Sequence, residues 1–278
     1  RPYDAALGAD MLTQLPAFAP EISALLAGTA GCSPYLAGLM RQEKDWLPAA
    51  LDDPEGAVDG LLAQLETVTL DALPIHLRQM KRRIALVAAL ADLGGVWPLE
   101  TVTGTLTRFA DAAVAACVTR LVAAEVARGK LPDGPPQDAA GMVVLAMGKM
   151  GAHELNYSSD IDLICLFDDS RFAPEDVFEA RTAFIRVTRR MTAILSEVKD
   201  GGYVFRTDLR LRPDASVMPV CLSMDAAERY YESVGRTWER AAYIKARVCA
   251  GDQAAGARFL HTLRPFVWRK HLDFAAIQ

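Results

Sequence analysis

The sequence predicts an α+β fold, in which a small sheet core with one long helix is flanked by helical regions before and after it. Three observations carry this reading. Residues 1–135 repeat apolar side chains at helical spacing and show no strand pattern. Two short apolar runs, 141–148 and 160–167, have strand length and are bounded by turn residues. Residues 203–213 then alternate apolar and polar. The expected organisation is an N-terminal helical region at 1–135, a sheet core at 136–224, and C-terminal helices at 225–278 packing on that core.

The elements follow in order. "SPYLAGLMRQEKDWL" opens with Ser33 as a helix N-cap and Pro34 at the first helical position. In "LRQMKRRIALVAALADLGG" the residues Leu77, Met80, Ile84, Val87 and Ala91 fall on one stripe, and Gly94-Gly95 is a stop signal. The next helix repeats the pattern through Val102, Leu106, Phe109, Ala113 and Cys117. "GKLPDGPP" at 129–136 is a linker. "GMVVLAMG" is a buried strand, "GKMGAHELNYSS" a loop with at most a short helical turn, and "DIDLICLF" a second strand. Residues 174–199 are helical, with Val177, Phe184, Val187, Met191, Ile194 and Val198 on one stripe. In "YVFRTDLRLRP", Phe205, Thr207, Leu209 and Leu211 are expected on one face of a strand. Arg206, Asp208, Arg210 and Arg212 are expected on the other. "SVMPVCL" is a candidate for one more strand, and from Asp225 onward the chain is expected to be helical, with Glu239, Lys245 and Arg247 on one helix.

Composition narrows the function classes. Hydrophobic residues make up 51% and charged residues 23% of the 278, the profile of a folded globular protein. The formal net charge of -5 argues against a dedicated nucleic-acid binder. No apolar run has the length of a membrane helix and no signal peptide is visible, so a cytoplasmic setting without membrane contact is expected. The chain opens on Arg1 rather than Met, as expected of a piece of a longer protein. Five scattered cysteines without a C-x-x-C pair are expected to be reduced and mostly buried, and the four histidines show no zinc spacing.

The chemistry concentrates in "ELNYSSDIDLICLFDD", residues 154–169. Asp160 and Asp162 stand at i and i+2, on one face of a strand, where two carboxylates repel unless a cation sits between them. Magnesium prefers such hard oxygen ligands and shares them with substrate phosphates. Asp208 is the third acid, on a strand whose polar face also carries arginines that suit phosphate. Three such aspartates can hold two metal ions roughly 3.5–4 Å apart, the clamp used for in-line phosphoryl displacement. Gly148 and Gly151 would let the backbone approach a ligand, and Ser158 and Ser159 offer hydroxyls and amides. The spacing is not that of a Walker loop. A D-x-D alone often caps a turn, and the arginine face could be a solvated edge. His153 reads as a loop residue rather than a ligand, and Glu239, with Trp238, could simply pack or pair with arginines.

Beyond pattern, the segments "GKMGAHELNYSSDIDLICLFDD", "FRTDLRLRPD" and "RYYESVGRTWERAAYIKARV" resemble the bacterial glutamine synthetase adenylyltransferases. "SPYLAGLM", "LRQMKRRIALVAALADLGG" and the closing "RPFVWRKHLDFAAIQ" resemble them too. The wider relation is to the DNA polymerase β-like nucleotidyltransferases, which implies a mixed sheet core. Family members carry two homologous halves, and this chain is long enough for one. Asn156 ahead of Tyr157-Ser158-Ser159, the entry "GYVFRTDLRLRP", and Arg240 after Glu239 resemble the N-terminal, adenylyl-removing half. Ending in "LDFAAIQ" fits such a half, with the C-terminal adenylylating half absent. Met150 and Ala152-His153 depart from the Leu and Gly-rich residues frequent in the family, which blurs the shape of the loop but leaves the carboxylates intact.

The resemblance implies a magnesium-dependent phosphorolysis, with two ions and manganese as an alternative. Inorganic phosphate attacks the AMP on a tyrosine of glutamine synthetase, giving ADP and free tyrosine. Asp160, Asp162 and Asp208 would be the metal ligands and Gly148, Gly151, Ser158 and Ser159 the nucleotide cradle. Arg210 and Arg212 would hold the incoming phosphate or the developing charge. Glutamine synthetase is then the protein substrate and the PII signal protein a regulator. The rival readings are the adenylylating half, which uses ATP, and a non-catalytic module that binds nucleotide or PII.

Overall fold

The computed structural model describes residues 2–199 and 201–268. They fall into two compact units. The first holds the described residues up to Val68 together with Ile75–Phe109, and the second holds Thr69–Pro74 and the described residues from Ala110 onward. The division falls inside a helix, ahead of the Gly129–Pro136 linker.

The first unit is helical. It contains α1 (Ala5–Thr13), α2 (Pro20–Cys32), α3 (Pro34–Gln42), α4 (Leu47–Asp52) and α5 (Pro54–Gln64). Most of α6 (Leu73–Leu93) and the start of α7 (Leu99–Ala127) belong to it as well. Ser33 is the N-cap of α3, its hydroxyl accepting from the Leu36 amide at 3.2 Å, with Pro34 at the first position. Met11, Leu26, Met40, Leu47, Leu86 and Leu90 lie in its core. Glu43 is buried, and Arg82 and Arg83 both bond it, so this carboxylate is buried with partners. The expected stripes of α6 and α7 are buried: Leu77, Met80, Ile84, Val87 and Ala91 on the first, Val102, Leu106, Phe109, Ala113 and Cys117 on the second. The Gly94 amide closes α6 onto the Leu90 carbonyl, and Gly95 takes a left-handed conformation there.

The second unit holds a mixed sheet. β1 (Met142–Ala146) is followed by the short α8 (Gly148–Gly151), β2 (Ile161–Phe167) and the long α9 (Val177–Ser196). Then come β3 (Thr207–Asp208), β4 (Cys221–Ser223), α10 (Met224–Ser233), α11 (Thr237–Tyr243), β5 (Arg247–Gly251), α12 (Gln253–Thr262) and α13 (Arg264–Val267). The path is β3-β2-β1-β5, with β4 also on β2. β1 runs antiparallel to both neighbours, whereas β3 and β4 run parallel to β2, one at its start and one at its end. β1 and β2 read as continuous apolar runs because both faces are covered. Val143, Leu145, Ile164 and Leu166 pack with Phe259 of α12 and Tyr231 of α10, and Phe167 stacks on Phe184 of α9 at 5.0 Å. Cys117, Cys165, Cys221 and Cys249 are buried and Cys32 is exposed, and none of the five is in a disulfide. Among the described residues no helix is long and apolar enough to cross a membrane.

Four expectations change. The alternating stretch around Asp208 forms a ladder of only two residues, Thr207–Asp208. The Arg210 amide bonds the Asp208 carboxylate at 2.7 Å, a turn that competes with the ladder. α9 ends at Ser196, because its Leu195 carbonyl accepts from the Val204 and Phe205 amides, and Val198 is exposed. The chain after Asp225 is not all helix, since Arg247–Gly251 pairs with β1 as an edge strand. Consequently Glu239 lies on α11, Arg247 on β5 and Lys245 between them, rather than all three on one helix. A local helical pattern was outweighed by an open sheet edge. The expected closing motif beyond Trp268 lies outside the described residues.

Candidate active site

The start of β2 and the turn after β1 open on a cleft of about 740 Å³. It is lined by Gly148, Lys149, Asn156, Tyr157, Ser158, Ser159, Asp160, Asp162, Arg206, Asp208 and Arg210. The backbone brings the acids together. Asp162 of β2 is the register partner of Asp208 on the parallel strand β3, and parallel partners project to the same face. Asp160 precedes Asp162 by two positions at the same mouth. Strand β3 is held there from behind: the Thr207 amide donates to Ser196 Oγ at 3.1 Å, and that hydroxyl bonds the Phe205 carbonyl at 3.0 Å. Ser196, at the end of α9, therefore positions Asp208 without reaching the cleft.

The three carboxylates differ in their partners. Asp160 is bonded by the Arg206 guanidinium, which also donates to the Ser158 carbonyl at 2.8 Å and so ties the serine turn to the approach to β3. Asp208 is gripped by Arg210, whose hydrogen bond holds the carboxyl below its ordinary value against the opposing effect of burial. Asp162 is half-buried, and among the described residues no donor is bonded to its carboxylate. Burial raises its proton affinity, and the charges of Asp208 and Asp160 raise it further, with Arg210 opposing.

The turn before β2 is shaped by its small residues. Gly148 has φ +54°, and a Cβ there would stand 3.0 Å from Asp162 Oδ2, so only glycine leaves that carboxylate its space. The Asn156 side chain accepts from the Tyr157 amide at 2.7 Å, and the Asn156 amide donates to Ser159 Oγ at 3.3 Å, which closes the serine turn.

Two expected site residues are elsewhere. Gly151 is buried outside the cleft lining, and a Cβ on it would meet the Lys245 carbonyl at 2.0 Å, so its smallness serves packing rather than ligand approach. Arg212 also leaves the cleft. It donates to the carbonyls of Leu209, Ala215, Met218 and Pro219, closing the excursion between β3 and β4. With its donors committed to backbone it is a structural residue, not a phosphate ligand. Lys149 and Arg206, neither among the expected site residues, join Arg210 as cations lining the cleft. Their signals were present, a lysine directly after Gly148 and an arginine two residues before Asp208 on the same polar face. Ser196 gave none, because its role exists only in the folded chain.

Among the described residues no three His, Cys, Asp or Glu side chains stand ready as a metal cage. The donor set nonetheless fits a divalent ion. Three hard carboxylates share one mouth, two of them are already neutralised by arginine, and the third is destabilised by its own neighbours. A divalent cation would relieve that repulsion.

Residues 11–262 match the family model of glutamate-ammonia ligase adenylyltransferase. The bifunctional glutamine synthetase adenylyltransferase/adenylyl-removing enzyme of Bradyrhizobium diazoefficiens is 50% identical over 262 residues. That of Caulobacter vibrioides is 47% identical over 260 residues, and each alignment covers 91% of this chain and 26% of the relative. The Rhodopseudomonas palustris enzyme is 46% identical over 280 residues, 97% of this chain and 28% of the relative. The chain thus spans about a quarter of the length of these curated relatives. With the family model covering nearly all of the described residues, the chain belongs to the glutamate-ammonia ligase adenylyltransferase family.

Proposed function

We propose that the chain carries a magnesium-dependent adenylyl-removing site that acts on adenylylated glutamine synthetase. The single observation that carries this reading is the convergence of Asp160, Asp162 and Asp208 on adjacent strand starts beside Lys149, Arg206 and Arg210. Asp160, Asp162 and Asp208 would hold magnesium, which when bound supplies charge stabilisation to the transferring phosphoryl group. Ser158, Ser159 and the Gly148-Lys149 turn would seat the AMP phosphate, and Arg210, with Lys149, would orient inorganic phosphate. A phosphate oxygen forms a bond to the AMP phosphorus while the bond to the tyrosyl oxygen breaks. The phenolate leaves, takes a proton from solvent, and ADP remains. A phenol with pKa of about 10 needs no strong general acid to depart.

Support for removal over addition comes from the resemblance of the Asn156 lead-in to the adenylyl-removing half; in the fold its side chain accepts from the Tyr157 amide and orders the serine turn. A glycine there would lack that bond. The test is a phosphorolysis assay with adenylylated glutamine synthetase, phosphate and magnesium. The expected result is ADP release, abolished in the Asp160→Asn/Asp162→Asn double variant. AMP transfer from ATP to unmodified glutamine synthetase, with no ADP in the phosphate assay, would identify the adenylylating reaction instead. Unchanged ADP release in the double variant would contradict the metal-site reading.

A further inference from the structure

The segment Lys245-Ala246-Arg247 stands apart from the cleft lining, yet it touches the back of the turn that lines it. Arg247, at the start of β5, directs one guanidinium nitrogen to two acceptors: Asp111 Oδ1 of α7 at 2.8 Å and the Met150 carbonyl at 3.0 Å. Met150 belongs to α8, a helix of four residues whose other end supplies Gly148 and Lys149 to the cleft. So short a helix has little stability of its own and depends on tertiary contacts. Its closing turn is constrained as well. The His153 amide returns to the Met150 carbonyl at 3.3 Å, and His153 sits at φ +60°, where a side chain is strained. Gly151 abuts the Lys245 carbonyl with no room for a Cβ. Beyond Gly151 the Lys245 ammonium bonds Glu154 at 2.7 Å, an exposed pair of little energetic weight.

We propose that Asp111 and Arg247 form a strut that fixes the Gly148–His153 turn against the sheet, and that both are positioning residues for the phosphate-binding end of the cleft. The catalytic part of this claim rests on the adenylyl-removing reading; the mechanical part does not. Asp111 orients and neutralises Arg247. Arg247 in turn occupies a carbonyl at the C-terminal end of α8, where a cation and a donor are both favourable. Neither side chain lines the cleft, so their effect on substrate passes through the backbone of Gly148 and Lys149.

The experiment compares Arg247→Met, Asp111→Asn and the double variant, with Lys245→Met as control. Amide hydrogen exchange is read over 148–154 and over β1 and β2, and phosphorolysis kinetics are measured in parallel. All three strut variants are expected to lose protection in the turn by about tenfold or more while the strands keep theirs. They are expected to lose kcat/KM by on the order of 10²-fold, the scale of a 1 Å misplacement. The double variant should be no worse than Arg247→Met, since the two residues act as one unit. The control should leave both readouts unchanged. Normal turn protection and normal kinetics in Asp111→Asn, with a defective Arg247→Met, would overturn the strut and point to direct substrate contact by Arg247. Loss of protection across the sheet as well as the turn would reduce the pair to general stability and also overturn it. If the wild-type chain released no ADP, the functional reading would fail while the exchange data still decided the strut.

Discussion

The two ends of β2 carry aspartates in opposite circumstances. At the far end, Asp168 accepts from the Ser170 amide at 3.2 Å, from the Ser170 hydroxyl, and from Arg258 at 3.1 Å. At the near end, the Asp162 carboxylate has no bonded donor among the described residues and faces two further acids. One strand thus holds a carboxylate matched for folding and another left mismatched. The difference bears on how to tell structural from functional charge: the first lowers the energy of the folded chain, whereas the second costs energy that a bound cation would relieve.

The largest expected effect follows from that contrast. Asp162→Asn should lower phosphorolysis by about 10³-fold or more, the loss expected when a ligand of a charge-stabilising site is removed. The same variant should raise the stability of the metal-free chain by about 1 kcal/mol, the usual gain from relieving a destabilised site residue. Asp168→Asn should do the reverse. It exchanges charge-assisted bonds for a carboxamide whose NH2 faces donors, costing about 1–3 kcal/mol in denaturant unfolding. Its kcat per folded molecule should stay near the wild-type value. A stabilised Asp168→Asn or a destabilised Asp162→Asn would erase the distinction between the two ends.

Next in size is the response to magnesium. At about 100 times its Kd a ligand stabilises the folded state by about 2.7 kcal/mol, so the wild-type Tm should rise with magnesium and that of Asp162→Asn should not. A rise of equal size in both proteins would remove Asp162 from the metal site.

A smaller effect is read from pH. The folded-state pKa of Asp162 is raised, so between its unfolded and folded values the native chain binds more protons than the unfolded one. Stability from this group therefore falls as pH rises through that window. Asp162→Asn lacks the group, so its Tm advantage over wild type should grow across the window and level off above it. Magnesium affinity should increase over the same range, because the carboxylate must lose its proton to coordinate. An advantage that shrank with rising pH would reverse the assigned direction of the shift.

How much of this was legible in the sequence follows the same physics. The helices before the linker were readable because periodic apolar residues, Ser33-Pro34 and Gly94-Gly95 are local signals. β1 and β2 were readable because strands covered on both faces are short apolar runs. The acids were readable as a group because their i, i+2 spacing and the arginines around Asp208 are chemical signals. The register that sets Asp208 beside Asp162 was not, since it depends on Ser196 and the end of α9. The diversion of Arg212 was equally hidden. An alternating pattern assigns a face but cannot show that the chain bends after two residues and offers four carbonyls to one guanidinium. β5 was missed because an edge strand of five residues is specified by the β1 edge it completes.

The finest test lies in two serines, one at each end of β2. Ser170 Oγ donates to Asp168, and Ser159 Oγ accepts from the Asn156 amide at 3.3 Å. Each is one hydrogen bond to a side chain, worth about 0.5–1.5 kcal/mol net. Ser170→Ala should cost stability toward the upper end of that range, because its partner is charged and largely shielded. It should leave KM unchanged. Ser159→Ala, on an exposed turn, should cost only about 0.5 kcal/mol, the lower end of that range. It should nonetheless raise KM for the adenylylated substrate several-fold, because the turn it closes faces the cleft and loses preorganisation before binding. Titration of phosphorolysis rates against substrate, paired with urea unfolding, separates the two outcomes. Equal KM for both variants would mean that the serine turn is ordered by Asn156 and Arg206 alone, and that Ser159 belongs with the matched end of the strand rather than the mismatched one.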